Sequence, residues 1–298
     1  MGSDGSCRAC LVGRLTDFIV VPDFEYGVAV GRYGRCDACG SYTQSPMPDA
    51  AQLASYYPLT YHSFLPVNAL ARTRQAARIR RLRKMLGTLD GIALLDYGCG
   101  QGAFLSALAE AVQEGHFYGY EIANETSVER THGGRVTIYR GSLDEAMEAL
   151  PALDVVVMNH VIEHLPEPTT IVGRLLARLK PGGAFEGQTP NANSYEHRLF
   201  GRRWAGFHSP RHTVVFSKEG LDGFLRRFGF REPLLTPTFS PAGWAISIGS
   251  AFQNGERPAG IRREGLPWLT LLVAGTIPNA IDSLTRNAGV VDFFARRP

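Results

Sequence analysis

Short apolar segments alternate with helical segments over the middle of the chain, and this alternation restricts the possible folds more than any other feature. Residues 92–97, 116–121, 135–139, 153–159 and 184–188 have the length and composition of strands. Residues 153–159 are almost wholly apolar, which is typical of a strand buried on both faces. The alternation predicts an α/β fold, with a mostly parallel sheet that has helices on both faces.

Helices are predicted at residues 67–86, 103–112, 169–179 and 217–228, and the last two strands at residues 232–239 and 290–296. The first helix is strongly basic, through Arg72, Arg74, Arg78, Arg80, Arg81, Arg83 and Lys84. A solvated helix face accounts for these charges. A patch that attracts a phosphorylated substrate or an acidic carrier protein is the alternative.

The composition is that of a globular protein with little net charge. Of 298 residues, 44% are hydrophobic and 20% charged, so a buried core is expected rather than disorder. The net charge of +3 does not favour a nucleic-acid partner, which usually goes with a large basic excess. Neither a secretory signal nor an apolar run of membrane-spanning length is recognised, so we expect a cytoplasmic protein without a membrane partner.

Four of the five cysteines form two pairs with metal-ligand spacing. Cys7 and Cys10 make one C-x-x-C pair, and Cys36 and Cys39 make the other. Two such turns can direct four thiolates at one ion, which predicts a structural Zn²⁺ site in a small ribbon. Two disulfides are the alternative, and they fit poorly with a reducing compartment. The fifth cysteine, Cys99, is interpreted as a small side chain that fits a glycine-rich turn.

These patterns divide the chain into three predicted regions. Residues 1–48 form the four-cysteine module, which ends in a linker at residues 41–48. Residues 49–89 form a helical lid or linker. Residues 90–298 form the core, with insertions at about residues 190–216 and 240–288 that would cap a substrate.

The glycine-rich turn after the first core strand predicts a cofactor site. Glycines allow the backbone to approach a ligand closely, and the following helix N-terminus favours an anionic group. Gly98 and Gly100 also fit a loosened dinucleotide fingerprint with Glu121 as its ribose-binding acid, so NAD competes with S-adenosylmethionine. Asp96 would be unfavourable beside a pyrophosphate and favourable beside the ammonium group of S-adenosylmethionine.

Three segments in register resemble class I S-adenosylmethionine-dependent methyltransferases. They are residues 96–102 (DYGCGQG), residues 159–165 (NHVIEHL) and residues 179–183 (LKPGG). The resemblance implies a Rossmann-like methyltransferase sheet with an antiparallel last strand. It also implies an enzyme that uses S-adenosylmethionine as its cofactor.

The same resemblance implies a role for individual residues. Asp96, Gly98, Gly100 and Gly102 would hold the methionine part of the cofactor, and Glu121 would accept hydrogen bonds from both ribose hydroxyls. The remaining residues expected at the cofactor are Ile122, Ser142, Leu143, Asn159, His160 and Tyr61. An acidic residue is often found at the position of Ser142 in this family, and Asp144 is a possible substitute.

A narrower resemblance concerns the sugar C-methyltransferases of natural-product pathways, which carry a four-cysteine zinc module ahead of this core. Residues 211–217 resemble a segment in which a histidine acts as the base, and His212 matches that histidine. Its neighbour is acidic in that family, whereas here it is Arg211. His208 and His160 are the other candidate bases, since histidine titrates near neutral pH.

The predicted function is methyl transfer to carbon or oxygen of a small-molecule acceptor, such as a sugar, another natural product or a carrier-bound intermediate. Arg198, Arg202, Arg203 and Arg211 favour an anionic acceptor. One alternative is a nucleic-acid or protein methyltransferase that recruits its substrate through the ribbon. Another is a scaffold that retains the fold without catalysis.

Overall fold

The computed structural model describes residues 5–57, 69–253, 258 and 260–298. Their contacts divide the chain into two compact units. Unit 1 comprises residues 1–58, 160–171 and 187–295, and unit 2 comprises residues 59–159, 172–186 and 296–298. The predicted three-region division of the chain stays a prediction.

Regular elements cover most of the described residues. The strands are β1 Leu15–Pro22, β2 Val30–Cys36, β3 Tyr42–Gln44, β4 Ala93–Tyr97, β5 His116–Glu121, β6 Ser127–Thr131, β7 Val136–Arg140, β8 Leu153–Asn159, β9 Leu179–Pro190, β10 Val214–Val215, β11 Leu234–Pro237 and β12 Val290–Arg296. The helices are α1 Ala50–Ser55, α2 Ala69–Leu86, α3 Ala103–Ala111, α4 Leu143–Ala149, α5 Pro168–Arg178, α6 Tyr195–Phe200, α7 Lys218–Arg227, α8 Pro241–Ala251 and α9 Gly265–Leu284.

Unit 2 contains the parallel strands that the sequence predicts. β4 pairs in parallel with both β5 and β8, and β5 pairs in parallel with β7. Residues such as Leu94, Phe117 and Val156 are fully buried in these strands. Because neighbouring parallel strands end at the same edge of a sheet, the residues that follow β4, β5, β7 and β8 lie along one edge.

The edge strand β6 was not predicted. It pairs antiparallel with β7, from Ser127 opposite Arg140 to Thr131 opposite Val136. Its residues are mostly exposed and polar, so they lack the alternation of apolar and polar residues that indicates a strand.

Unit 1 contains a four-stranded sheet in the order β1-β2-β3-β10, in which every pair is antiparallel. The predicted linker at residues 41–48 therefore includes a strand, β3. Its partner β10 directly follows His212 and Thr213. The sheet therefore joins the N-terminal segment of the chain to the segment that carries His212. Tyr33, Trp204, Phe207 and Val215 are buried together in the core of this unit.

The larger sheet has the strand order β11-β12-β9-β8-β4-β5-β7-β6. β12 pairs antiparallel with β11, so the sheet is mixed, with helices among its strands, as the sequence predicts. β9 begins at Leu179 and includes the segment predicted as a turn at residues 180–183.

None of the helices in the described part of the chain is both long enough and apolar enough to cross a bilayer.

Candidate functional site

The turn after β4 in unit 2 adopts the backbone that its glycines predict. Gly98, Gly100 and Gly102 all have positive φ angles, of 79°, 57° and 74°, which other residues rarely adopt. A Cβ atom built on Gly100 would have no neighbour within 4 Å, so the turn faces open space there. Gly102 is the N-cap of α3 and supplies no side chain to the first amides of the helix. The turn can therefore accept a ligand against its backbone.

Two acidic residues border this turn. Glu121 ends β5, and its Oε2 accepts a hydrogen bond of 2.6 Å from the backbone amide of Gly100. Burial raises the pKa of Glu121, and the Gly100 amide opposes this shift. The next side chain, Ile122, is 79% exposed, so an apolar surface adjoins the carboxylate.

The second acidic residue, Asp96, is buried and pairs with an arginine. Nη2 of Arg78 donates to Oδ1 of Asp96 over 3.0 Å. The Arg78 guanidinium also lies 3.5 Å from the centroid of the Phe104 ring. Burial raises the pKa of Asp96, and the charge and hydrogen bond of Arg78 act in the opposite direction. The pair therefore offers a carboxylate and a guanidinium next to the glycine turn.

Sequence reasoning assigned Arg78 only to a basic helix face. A signal was present, because Arg78 is four residues before the buried Leu82 and thus shares its side of α2. Arg81 and Arg83 also make contacts inside unit 2, with Glu186 at 3.5 Å and with the carbonyl of Ala111 at 3.4 Å. Part of the basic face is therefore used within the fold.

Asn159, at the end of β8, has a buried side-chain nitrogen, Nδ2, without a hydrogen-bond partner among the described residues. A buried donor without a partner is costly and suggests that a ligand supplies one. Ser142 is the N-cap of α4, where its hydroxyl accepts from the amide of Glu145. Asp144, the possible substitute at the adenine position, instead pairs with Arg174 at 2.5 Å.

Unit 2 thus brings most of the expected cofactor residues to one sheet edge. Those that follow or end its parallel strands are Asp96, Gly98, Gly100, Gly102, Glu121, Ile122, Ser142, Leu143 and Asn159. His160 belongs to unit 1, although it directly follows Asn159 in the chain. Tyr61 lies outside the described residues.

His160 is held in an uncommon backbone conformation beside a buried carboxylate. Its φ angle is +52°, and its amide donates to the carbonyl of Gln188 over 2.8 Å. Its Nδ1 lies 3.3 Å from Oε1 of Glu163, which is fully buried. The other carboxylate oxygen accepts from the hydroxyl of Thr189 at 3.0 Å. Since a carboxylate only accepts, Nδ1 carries the proton, and Nε2 of the half-exposed ring keeps its lone pair.

His212 is more enclosed than His160. Its Nδ1 donates to the carbonyl of Gly206 at 2.9 Å, and its Nε2 is 3.9 Å from Oε1 of Glu163. Burial lowers the pKa of His212 well below the usual value for histidine. His164 packs against it with ring centroids 4.5 Å apart, and burial lowers the pKa of His164 to about 4. One donor atom each from Glu163, His164 and His212 lies within 4.8 Å of the others, so these residues could share a proton or a cation.

Both ring nitrogens of His208 have partners. Nδ1 donates to Oε1 of Glu25 at 2.5 Å, and Nε2 accepts from Nε of Arg211 at 3.1 Å. Because an arginine Nε can only donate, this contact takes the lone pair that a base would need. Arg211 in turn makes two hydrogen bonds to Asp23, of 3.0 and 2.7 Å, and is completely buried.

The four paired cysteines of unit 1 lie together. The Sγ atoms of Cys7 and Cys39 are 3.7 Å apart, and those of Cys10 and Cys36 are 3.5 Å apart. Four sulfurs at ~2.3 Å from a tetrahedral zinc ion would be about 3.8 Å from one another. Backbone amides also donate to these sulfurs, for example from Cys39 to Cys36 at 3.4 Å. All four are free thiols, and their arrangement fits a metal better than disulfides.

The sheet next to these cysteines also holds the segment that carries His212. The hydroxyl of Tyr33 donates to the carbonyl of His212 at 2.9 Å, and the amide of Gln44 donates to the carbonyl of Thr213 at 2.8 Å. The hydroxyl of Ser209 donates to the carbonyl of Val21 at 2.7 Å. The N-terminal module is therefore part of the structure that positions the histidines of unit 1.

Comparison with known proteins identifies the class of this chain. A family model described as a methyltransferase domain matches residues 70–232, which is more than half of the 298 residues. The chain therefore belongs to the methyltransferase-domain family, and the predicted class of protein is confirmed.

Individual relatives are more distant. The chain is 33% identical over 140 residues to a ubiquinone biosynthesis O-methyltransferase of Paramagnetospirillum magneticum, covering 44% of this chain and 53% of that protein. It is 29% identical over 165 residues to the protein of the same name from Bordetella avium, covering 51% and 66%. The chain thus spans about half to two thirds of the length of these curated relatives.

A solved structure supports the fold. It is the phosphoethanolamine N-methyltransferase 2 of Haemonchus contortus in complex with phosphomonomethylethanolamine and S-adenosylhomocysteine. The TM-score is 0.51 with 13% sequence identity, covering 86% of this chain and 62% of that one. At this identity the likeness concerns the fold alone.

The buried ion pair between Arg211 and Asp23 gives a first prediction. Arg211→Met leaves the Asp23 carboxylate buried without its cation, so we expect the free energy of unfolding to fall by about 3–5 kcal/mol. Denaturant unfolding measures this change. Arg202→Met is the matched control, because Arg202 is exposed, and its stability should stay within about 0.5 kcal/mol of the wild type. Equal stability of the two variants would contradict the assigned role of the pair.

Proposed function

We propose that this protein is an S-adenosylmethionine-dependent methyltransferase that acts on a small-molecule acceptor. The observation that carries the proposal is the glycine turn of unit 2, which is open at Gly100 and bordered by the carboxylates of Asp96 and Glu121. The family membership and the names of the relatives support the same activity. The resemblance to zinc-containing sugar C-methyltransferases stays a prediction.

The residues of unit 2 fit the chemical groups of this cofactor one by one. The methionine part is a zwitterion, and Asp96 and Arg78 offer the opposite charge for each of its ends. The Glu121 carboxylate suits the two ribose hydroxyls, and the exposed Ile122 suits the flat adenine ring. The buried Nδ2 of Asn159 requires an acceptor that a bound ligand would supply. When bound, S-adenosylmethionine supplies a methyl group that is already activated by its sulfonium.

The contacts favour His160 as the general base, in place of His212, which the sequence favours. His160 is half-exposed, and Glu163 fixes the tautomer that leaves Nε2 able to take a proton. This pair has the arrangement of an oriented base, in which a buried carboxylate holds a histidine in one tautomer and orientation. His212 is buried, with its pKa strongly lowered, and the lone pair of His208 is taken by Arg211.

The relatives named O-methyltransferases support a hydroxyl group as the acceptor. In that reaction the acceptor oxygen forms a bond to the methyl carbon while the carbon–sulfur bond breaks, and the hydroxyl proton passes to Nε2 of His160. The products are the methyl ether and S-adenosylhomocysteine. Of the four arginines expected at an anionic acceptor, Arg211 is committed to Asp23, which leaves Arg198, Arg202 and Arg203 for that role.

Cofactor binding tests the assignment of Arg78. Arg78→Met should raise the Kd for S-adenosylmethionine by about 10- to 100-fold, because a charge-assisted bond to the cofactor carboxylate is lost. Isothermal titration calorimetry measures both affinities. Arg80→Met removes an exposed arginine from the same helix and should leave the Kd unchanged. Binding of NAD instead of S-adenosylmethionine, or an unchanged Kd in Arg78→Met, would count against the proposed site.

The pH dependence of turnover tests the base. A histidine can accept a proton only in its neutral form, so kcat should fall towards low pH if a histidine is the base. His160→Gln should lower kcat by about 10²- to 10⁴-fold and abolish this dependence, while KM for S-adenosylmethionine changes little. Formation of S-adenosylhomocysteine is measured over a panel of phenols and sugars with free hydroxyl groups.

Two further variants make the test of the base specific. Glu163→Gln should reduce kcat without changing the affinity for the cofactor, because Glu163 acts through His160. His212→Gln, by contrast, should keep the pH-dependent limb of kcat. Loss of that limb in His212→Gln and its persistence in His160→Gln would assign the base to His212 instead.

We also propose that Cys7, Cys10, Cys36 and Cys39 bind one structural Zn²⁺ ion. The distances between their sulfurs and the amides directed at them support this ligand set. Four protein ligands leave no open coordination position, so the ion would stabilise the module without entering the reaction.

Metal analysis of the purified protein by mass spectrometry should find one zinc per chain. Cys36→Ser should lose the zinc and the stability that it provides, whereas Cys99→Ser should keep it. Cys99 is the matched control because it lies in unit 2, where its sulfur packs against Gly119. A metal-free protein with the intact mass of two disulfides would refute the zinc assignment.

A further inference from the structure

Helix α9 in unit 1 is apolar on both of its sides. Of its 20 residues only Asp282 is ionisable, and this side chain is buried, where it accepts a hydrogen bond from Trp244 of α8. The side that faces α8 is packed, and Gly275 lies close to Trp244 and Ala245. A helix that is hydrophobic around its whole circumference is normally covered on every side.

The opposite side of α9 is exposed and forms a continuous apolar stripe. It consists of Leu266, Leu269, Val273, Ile277, Ile281 and Leu284, whose exposed fractions range from 54% to 84%. Their spacings of three or four residues place all six on one face of the helix. No exposed residue within α9 is charged. Contiguous exposed apolar patches of this kind mark sites of interaction with a partner or a membrane.

The hydroxyls of the exposed threonines of α9, and of Thr285 at its C-cap, bond to the backbone of the helix itself. The hydroxyls of Thr270, Thr276 and Thr285 donate to the carbonyls four residues earlier, at 3.0, 2.8 and 3.0 Å. A hydroxyl in water has no need of such a bond, whereas in an apolar environment an unpaired hydroxyl is costly. The hydroxyls of these three residues thus already have hydrogen-bond partners, and the exposed face presents methyl groups.

Charged and aromatic residues border the stripe. Arg262 lies three residues before α9 and Arg286 two residues after it, and both are exposed, as is Glu264, which directly precedes the helix. Phe239 and Phe252, at the two ends of α8, are 55% and 81% exposed. The amide of Ser240, next to Phe239, donates to Asn279 of α9, so this aromatic residue adjoins the same helix. Arginines at both ends of an apolar face suit the phosphate groups of lipid headgroups.

We propose that α9 docks on the surface of an anionic lipid bilayer, with its axis parallel to the membrane plane. The stripe would enter the boundary between headgroups and acyl chains, and Arg262 and Arg286 would contact lipid phosphates. The proposal is independent of methyl transfer and revises the expectation that the protein has no membrane partner. It agrees with the finding that no described helix can cross a bilayer.

Size argues for a bilayer over a second copy of this chain. A 20-residue helix is ~30 Å long and ~10 Å wide, so one face of it offers roughly 300 Å². Stable protein dimers bury about 800 Å² on each partner. A bilayer surface needs neither that area nor a complementary shape, because its acyl chains adapt to the side chains that enter.

Sedimentation of the full-length protein with vesicles tests the proposal. The probes are vesicles of phosphatidylcholine alone and of phosphatidylcholine with an equal share of phosphatidylglycerol. We expect binding to the mixed vesicles that is at least tenfold tighter than binding to phosphatidylcholine. The double variant Val273→Glu and Ile277→Glu should lose at least tenfold in binding, because it places two charges on the stripe. The double variant Arg262→Gln and Arg286→Gln should lose the preference for the anionic lipid.

Val128→Glu is the matched control, since Val128 is 46% exposed on β6 in unit 2 and should not affect vesicle binding. Unchanged thermal unfolding of every variant excludes misfolding as the cause. The proposal is overturned if the wild type does not bind the mixed vesicles, or if the α9 variant binds as tightly as the control. It is also overturned if light scattering shows a dimer that the α9 variant abolishes while vesicles are not bound, since the face would then belong to a second copy.

Discussion

The ion pair between Arg211 and Asp23 is the interaction on which the organisation of unit 1 depends. Two charged groups are removed from water there, and each has the other as a hydrogen-bonded partner. The Asp23 carboxylate also accepts from the backbone amides of Glu25, Tyr26 and Val28. The ring of Tyr26 lies 4.7 Å from the same guanidinium. The partners are 188 residues apart in the sequence, so the pair links the N-terminal sheet to the histidine-bearing segment. The guanidinium also determines the tautomer of His208.

The histidines of unit 1 differ in chemical character because their surroundings differ. The rings of His164 and His212 pack against each other, and desolvation lowers the pKa of both. His208 is bonded on both nitrogens. Only His160 in this group combines solvent access with an orienting carboxylate. The buried carboxylate of Glu163 lies close to both His160 and His212.

The sequence predicts what depends on local pattern, and it fails where distant residues meet. Periodicity, composition and spacing predict the parallel strands, the glycine turn and the two C-x-x-C pairs, since each of these signals lies within a few residues. Three pairings were not predicted, because they depend on how the folded chain places the side chains. They are Arg211 with Asp23, Arg78 with Asp96, and His160 with Glu163, and the last also depends on the tautomer of the histidine. Strand β6 was missed because its pairing depends on backbone bonds to β7, without an apolar face.

Helix α9 also has a feature that its sequence alone does not predict, which is the side of the helix that each side chain occupies. Its sequence is interrupted by Pro278 and Asn279, and its single ionisable residue, Asp282, does not indicate a solvated face. Only the structure reveals that the polar atoms turn inward, through Asp282 and Asn279, while the aliphatic side chains turn outward. A helix that satisfies its own polar groups and exposes its apolar ones is stable in water only at a cost. Binding to an apolar surface removes that cost, which is the physical reason to look for such a surface beside α9.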